Sequence, residues 1–335
     1  MASDRITVPS LQKMKRQGRR ITMLTCYDAT FARLLDPHVD ALLVGDSLGM
    51  VIQGGSDTLA VTLDEVIYHT RAVARGVKHA HLVADMPFMS YQVSVEEGVR
   101  NAGRLLKEGG AHAVKIEGAE TELVSRLTRV GIPVLGHLGL TPQSIHTLGG
   151  YKIQGRRREQ ARKLLDDAVA LQEAGAYGLV LEAVPLEVAE QVSQRLEIPT
   201  IGIGAGPHCD GQVLVIYDLL GFDESFQPRF LKRFDSLGVR VEQAVESYAE
   251  EVRQGVFPGP EHSFSQAAKR PSQAPDEAKR PSRAPDEAKR PSQAPDEAKR
   301  PQAPDNGKPL SAKKTAEASE VLDPTEKLYS SASGD

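Results

Sequence analysis

The sequence predicts an α/β chain closed into a (β/α)8 barrel, and three observations carry that reading. Short apolar bursts alternate with helical stretches along most of the chain, which is the grammar of a parallel sheet. The composition turns low-complexity near Phe264 and leaves a body of roughly 265 residues, an ordinary size for one such barrel. Five bursts stop at an ionisable residue: Asp46, Asp85, Glu117, His137 and Glu182, with steps of 39, 32, 20 and 45 positions between them. A lone Asp after a strand is a common turn former. Five ionisable groups at five strand exits describe one rim, the end of a barrel where chemistry collects.

Taken in order, Pro9-Ser10 and the following Leu11 to Arg16 read as a short capped helix stopped by Gly18, placed to plug the open bottom of the barrel. Ile21 to Thr25 is the first strand. Cys26 after it adjoins no positive charge and reads as a small core residue, not a nucleophile. Thr30 to Leu35 is helical, and Asp40 to Val44 is the second strand, too short for a helix and bounded by Pro37 and Gly45. Thr62-Leu63-Asp64-Glu65 caps a helix through Arg75, with Val66, Thr70 and Val73 on one stripe. Leu82 to Ala84 is the third strand; Ser94-Val95-Glu96-Glu97 opens the next helix and Gly109-Gly110 ends it. Ala113 to Glu117 and Val134 to Leu138 are the fourth and fifth strands, with a helix from Thr121 to Val130 between them.

The loop from Gly139 to Gly155 is long and rich in Gly, Thr and Pro, as lids and binding loops are. Arg156 to Ala174 is helical, Gly178 to Leu181 the sixth strand, Leu186 to Leu196 a helix, and Thr200 to Gly204 the seventh strand. Val213 to Tyr217 is the expected eighth, after a link too short for a helix. Leu237 to Gly255 closes the body as an amphipathic helix. The domain reading is therefore a catalytic barrel over 1–263 and a disordered tail over 264–335. The tail repeats Lys-Arg-Pro-Ser-Gln-Ala-Pro-Asp-Glu-Ala from Lys269, Lys279 and Lys289, with a shortened copy at Lys299. Two prolines per unit forbid a stable helix, and almost nothing there is apolar enough to bury.

The chain is net −4; from Lys269 onward it holds 13 basic and 12 acidic residues, which leaves −5 to the body. Such a balance attracts neither nucleic acid nor an anionic membrane. No apolar run approaches a membrane span, and Met1 to Val8 lack the apolar core of a signal peptide. Two cysteines, Cys26 and Cys209, make no disulfide framework and suit a reducing, cytoplasmic compartment.

Asp46, Asp85 and Glu117 supply only hard oxygen donors, and no Cys or His is spaced for zinc, so Mg2+ suits them. Lys115 and Glu117 lie two apart on one strand and both point into the barrel, where the lysine pairs with the acids or with an anionic substrate. A purely structural Lys–Glu–Asp network is the other reading of that spacing. Glu182 follows four apolar residues, where desolvation raises a carboxylate toward a useful base. Gly202-Ile203-Gly204-Ala205-Gly206 fails the dinucleotide fingerprint, since its sixth position is Pro207, and reads as a glycine-rich turn.

Thr25 to Asp28, Val44 to Gly49, Val83 to Met89, Val114 to Gly118, GHLGLTPQS from Gly136, Leu181 to Pro185, GIGAG from Gly202 and DGQVLVIYDLLG from Asp210 stand in one order. Together they resemble the ketopantoate hydroxymethyltransferase family over roughly Ile6 to Pro258; the repetitive tail is not part of that pattern, and Cys26 stands where the family usually has a small residue such as Ala. The resemblance implies a barrel of the phosphoenolpyruvate/pyruvate type and one Mg2+ per subunit, held by Asp46, Asp85 and Glu117. It implies a keto acid held by Asp46, Ser47, Asp85 and Lys115, with Glu182 as proton acceptor. His137 then lies close to the substrate or packs structurally. The implied reaction moves a hydroxymethyl group from 5,10-methylenetetrahydrofolate to 3-methyl-2-oxobutanoate (α-ketoisovalerate) through a Mg-stabilised enolate. The product is 2-dehydropantoate, on the way to pantothenate, and the assembly implied is a homodecamer. Two rival readings are a Mg-dependent carbon–carbon lyase or mutase on the same barrel, and a non-catalytic scaffold carrying a binding tail.

Overall fold

Eight parallel strands close on themselves in sequence order: β1 (Ile21–Thr25), β2 (Ala41–Val44), β3 (His81–Asp85), β4 (Ala113–Glu117), β5 (Val134–Gly139), β6 (Gly178–Glu182), β7 (Thr200–Ile203) and β8 (Gly211–Leu214). This computed structural model describes residues 5–223 and 225–264; apart from Phe264, the tail expected over 264–335 lies outside the described residues. The chain divides into two units with a boundary after Ser247, inside the helix Leu237–Gln254. The first holds the barrel. In the described part of the second, Tyr248 packs edge-on against Phe257, which in turn contacts His262.

The helices start where the capping chemistry dictates. Asp28 accepts from the backbone N–H groups of Thr30 and Phe31 and opens Ala29–Leu35. Thr62 and Glu65 form a reciprocal capping box, and the stripe below it, Val66, Thr70 and Val73, is wholly buried. Ser94 caps Val95–Arg104, which runs on through a π-turn, Leu105–Gly109, to the left-handed Gly110. The expected plug is Val8–Arg16: its Leu11 and Met14 pack with Ile21, Met23, Leu135 and Ile201 inside the barrel floor. Each such side chain contributes about 1.5–3 kcal/mol by leaving water.

The core therefore has two layers, one inside the barrel and a larger one between the strands and the surrounding helices. The eighth strand, expected over Val213 to Tyr217, starts two residues earlier and ends three residues earlier. It ends at Leu214, because Ile216 N–H turns away from the ladder to donate to Thr25 Oγ1 (3.0 Å) and a short helix, Ile216–Leu220, begins there. Just before this strand, Asp210 Oδ2 accepts from Thr200 and Lys15 and ties the floor together.

His81, at the start of β3, is buried against Tyr177 and His112, with no hydrogen-bond partner for Nε2 among the described residues. Burial, with the nearby His112 charge, lowers its pKa from 6.5 to about 3. The unfolded chain takes up this proton near pH 6.5 while the folded chain refuses it. Stability is thus lost as pH falls from 6.5 toward about 3. Denaturant titration across that range should show His81→Phe flattening the pH dependence by roughly one proton; parallel profiles would contradict the assignment.

Candidate active site

The strand register brings the ionisable rim together. Asp85 pairs in the ladder with Lys115, and Glu117 with His137, so two acids and two bases occupy adjacent strand ends at matched heights. Asp46 stands two residues past the end of β2, and Glu182 closes β6. All six side chains line one cavity of about 480 Å³ at the C-terminal mouth of the barrel. None is more than 9 % exposed, so each charge must find compensation inside the protein.

Lys115 supplies most of it. Its Nζ lies 2.9 Å from Asp85 Oδ1 and 3.7 Å from Glu117 Oε1. Burial works against the ammonium, but Asp85, Glu117 and Asp46 outweigh it and hold its pKa above the usual lysine value. Burial, reinforced by the charges of Asp85 and Glu117, pushes Asp46 well above the usual carboxylate range. Asp85 is also raised by burial, with Lys115 pulling against it. Burial would raise Glu117 too; hydrogen bonding to His137, the Lys115 charge and a backbone N–H from Gln143 leave it below the usual range.

His137 bridges the two acids, with Nδ1 3.4 Å from Glu117 Oε1 and Nε2 3.3 Å from Glu182 Oε2. Burial and the charge of Lys115 lower its pKa, and these two acids overcome them to lift it to about 9. Lys115 Nζ also lies 3.2 Å from Nδ1, a hydrogen bond open only to the neutral ring. The two acids favour the imidazolium and set the direction. His137 is thus a bridge within the site and not a packed core residue.

Backbone geometry fixes the ends of these strands. Ala183, directly after Glu182, has φ 50°, in the left-handed region that side chains avoid; its N–H donates to Ile203 O and its carbonyl accepts from Gln154 N–H. Gly45 leaves a hollow beside Asp46: a Cβ there would lie 2.7 Å from Ser47 Oγ and 3.4 Å from Asp85 Oδ2. Asp85 Oδ2 accepts from the Asp46 N–H (2.9 Å), and Ser47 Oγ is 2.8 Å from the Tyr27 hydroxyl. Cys26 stays outside this chemistry, with burial pushing its thiol up to about 12.

Sequence reasoning missed Gln143. Its side-chain amide donates to Asp46 Oδ2 (2.8 Å) and to the Met86 carbonyl (2.9 Å), while its backbone N–H donates to Glu117 Oε2 (3.0 Å). Its carbonyl accepts from Gln92 Nε2 and lies 2.9 Å from the Tyr91 hydroxyl. One buried residue therefore fixes two of the acids, Asp46 through its side chain and Glu117 through its backbone. A glutamine after Thr-Pro in a glycine-rich loop reads as a solvated turn residue, and no local pattern distinguishes it.

The residues present suit a divalent cation. Four acids (Asp46, Asp85, Glu117, Glu182) face two cations, Lys115 and His137. Asp85 Oδ1 and Glu117 Oε1 are buried without an aligned hydrogen bond among the described residues, although both lie near Lys115. Among the described residues, no three His, Cys, Asp or Glu side chains are already gathered as an ion cage. Mg2+ needs no such cage, since it takes one or two carboxylates and fills the remaining positions with water or substrate.

Comparison with known proteins agrees with this geometry. The family model described as ketopantoate hydroxymethyltransferase matches residues 5–260. The 3-methyl-2-oxobutanoate hydroxymethyltransferase of Pelobacter propionicus is 58 % identical over 264 residues, covering 78 % of this chain and 98 % of the relative. The protein of the same name from Leptospira interrogans is 54 % identical over 254 residues, covering 75 % of this chain and 96 % of the relative. Among solved structures, 2,3-dimethylmalate lyase of the PEP mutase/isocitrate lyase superfamily superposes with a TM-score of 0.50 at 18 % identity, covering 79 % of this chain and 93 % of that one. Phosphonopyruvate hydrolase, solved with oxalate and Mg2+, gives 0.51 at 12 % identity, covering 76 % and 92 %. These last two share the fold. On the extent and identity of the sequence matches, the chain belongs to the ketopantoate hydroxymethyltransferase family and is a transferase enzyme.

Proposed function

We propose that this chain transfers a hydroxymethyl group from 5,10-methylenetetrahydrofolate to 3-methyl-2-oxobutanoate, giving 2-dehydropantoate and tetrahydrofolate. The reading rests on one observation, the meeting of Asp46, Asp85, Lys115, Glu117, His137 and Glu182 in a single buried cavity of a chain from this family. A lyase or mutase reaction has weaker support, since the neighbours that carry those names share only the fold.

Lys115 and the Ser47 hydroxyl bind the carboxylate of the keto acid and turn its C3–H bond toward Glu182. Glu182 takes that proton, and His137, with Nε2 3.3 Å from Oε2, holds the acceptor in place. Asp46, Asp85 and Glu117 would hold Mg2+, which when bound acts as a Lewis acid toward the negative charge that collects on the keto oxygen. The C3 electron pair forms the new bond to the one-carbon unit. The methylene carbon is bonded to two nitrogens of the carrier. Both carbon–nitrogen bonds break with their pairs returning to nitrogen, water supplies the hydroxyl, and the C3 proton and the second proton of that water end on the two nitrogens. Nothing is oxidised or reduced. The buried, largely apolar walls keep water away from the carbanionic carbon until the donor is in place.

Glu182→Gln should lower turnover about 10²–10⁴-fold, the usual loss on removing a general base, while calorimetry still detects keto acid binding. Deuterium exchange at C3, followed by NMR, isolates the step; an unchanged exchange rate would dismiss Glu182 as the base. Gln143→Ala should weaken Mg2+ binding about 10–100-fold, as loss of an outer-sphere partner does, because Asp46 loses its fixed side-chain donor while the backbone N–H to Glu117 is kept. Direct titration of Mg2+ into the substrate-free enzyme reads this without turnover, and wild-type affinity in the variant would reduce Gln143 to a packing residue.

A further inference from the structure

Phenylalanine is sparse in this chain, eight in 335 residues, yet four stand at positions 222, 226, 230 and 234. The reaction as derived uses none of them. Phe222, Phe226 and Phe230 line the same cavity as the acids, together with Tyr217 and Asp218. The Tyr217 ring lies 4.8 Å from that of Phe222 and 6.0 Å from that of Tyr27, whose hydroxyl contacts Ser47, so an aromatic wall runs outward from the keto acid end. Phe230 packs over Gly204 beside Ala183, the residue after Glu182. The wall thus touches both ends of the reacting centre.

A small keto acid fills only part of a cavity of about 480 Å³ and has no flat face to offer these rings. The Asp218 carboxylate makes no hydrogen bond or ion pair among the described residues, and it lies half-buried in this wall. Burial, with the charge of Asp223 added and that of Arg233 opposing, raises its pKa to about 6, as expected of a carboxylate short of donors. A carboxylate offers two acceptors side by side, which match two adjacent N–H donors on the edge of a planar heterocycle.

Resting on the proposed transfer reaction, we infer that the aromatic half of the cavity seats the pterin of the one-carbon donor. Its faces lie against Phe222, Phe226 and Phe230, and its amino–amide edge donates to Asp218. That placement sets the donor's methylene beside the carbon from which Glu182 removes the proton.

The test combines donor kinetics, C3 deuterium exchange without donor, and calorimetric binding of tetrahydrofolate. Asp218→Asn should raise KM for methylenetetrahydrofolate and Kd for tetrahydrofolate about 10–100-fold, the usual cost of losing hydrogen bonds to a charged acceptor, with KM for the keto acid held within about twofold. Phe226→Leu should shift the same two constants in the same direction, and it serves if Asp218→Asn fails to fold. Wild-type donor constants in a folded variant, alongside normal turnover by the parent enzyme, would overturn the pterin seat alone. A parent enzyme that exchanges the C3 proton but forms no product with the folate donor would overturn the transfer reaction and this inference with it.

Discussion

The buried ammonium of Lys115 is the constraint on which the site depends. Asp46, Asp85 and Glu117 all sit below the surface, where a carboxylate without a partner costs several kcal/mol. Lys115 touches two of them and acts on the third through space, which is why its own proton is held so firmly. It does not neutralise the group. The surplus of acid that remains suits a small divalent ion, and the proposed binding of an anionic keto acid rests on that ion and the ammonium.

Barrel geometry delivers this arrangement cheaply. Parallel strands in sequence order put successive C-terminal residues side by side, and the ladder places Asp85 against Lys115 and Glu117 against His137 without any long loop. The loop after β5 then supplies Gln143, whose side-chain amide holds the second strand's acid and whose backbone N–H holds the fourth strand's. The floor is closed by apolar packing and by Asp210, and it takes no part in the chemistry. Stability and reactivity thus occupy opposite ends of the same eight strands.

Much of this was legible in the sequence because the signal was local. A short apolar run followed at once by Asp, Glu or His announces a strand exit, and the i, i+2 spacing of Lys115 and Glu117 announces a shared face. Asp46, Asp85, Glu117, His137 and Glu182 were readable for that reason. Gln143 was not, since its role arises from contacts 26 and 97 positions away in the chain. The eighth strand was misplaced for a similar reason: Val213 to Tyr217 is apolar enough for a strand, and only the bond from Ile216 to Thr25, 191 positions earlier, ends it sooner. The phenylalanines at 222, 226 and 230 show regular spacing but lie outside any helix, so periodicity gave them no direction.

The central claim is that these acids serve a divalent ion which in turn holds the keto acid. Calorimetric titration of 3-methyl-2-oxobutanoate into the enzyme with and without Mg2+ tests it most directly. The account predicts binding that requires Mg2+ and is lost in Asp85→Asn at every Mg2+ concentration where the parent binds. Equal keto acid affinity with and without the metal would contradict it.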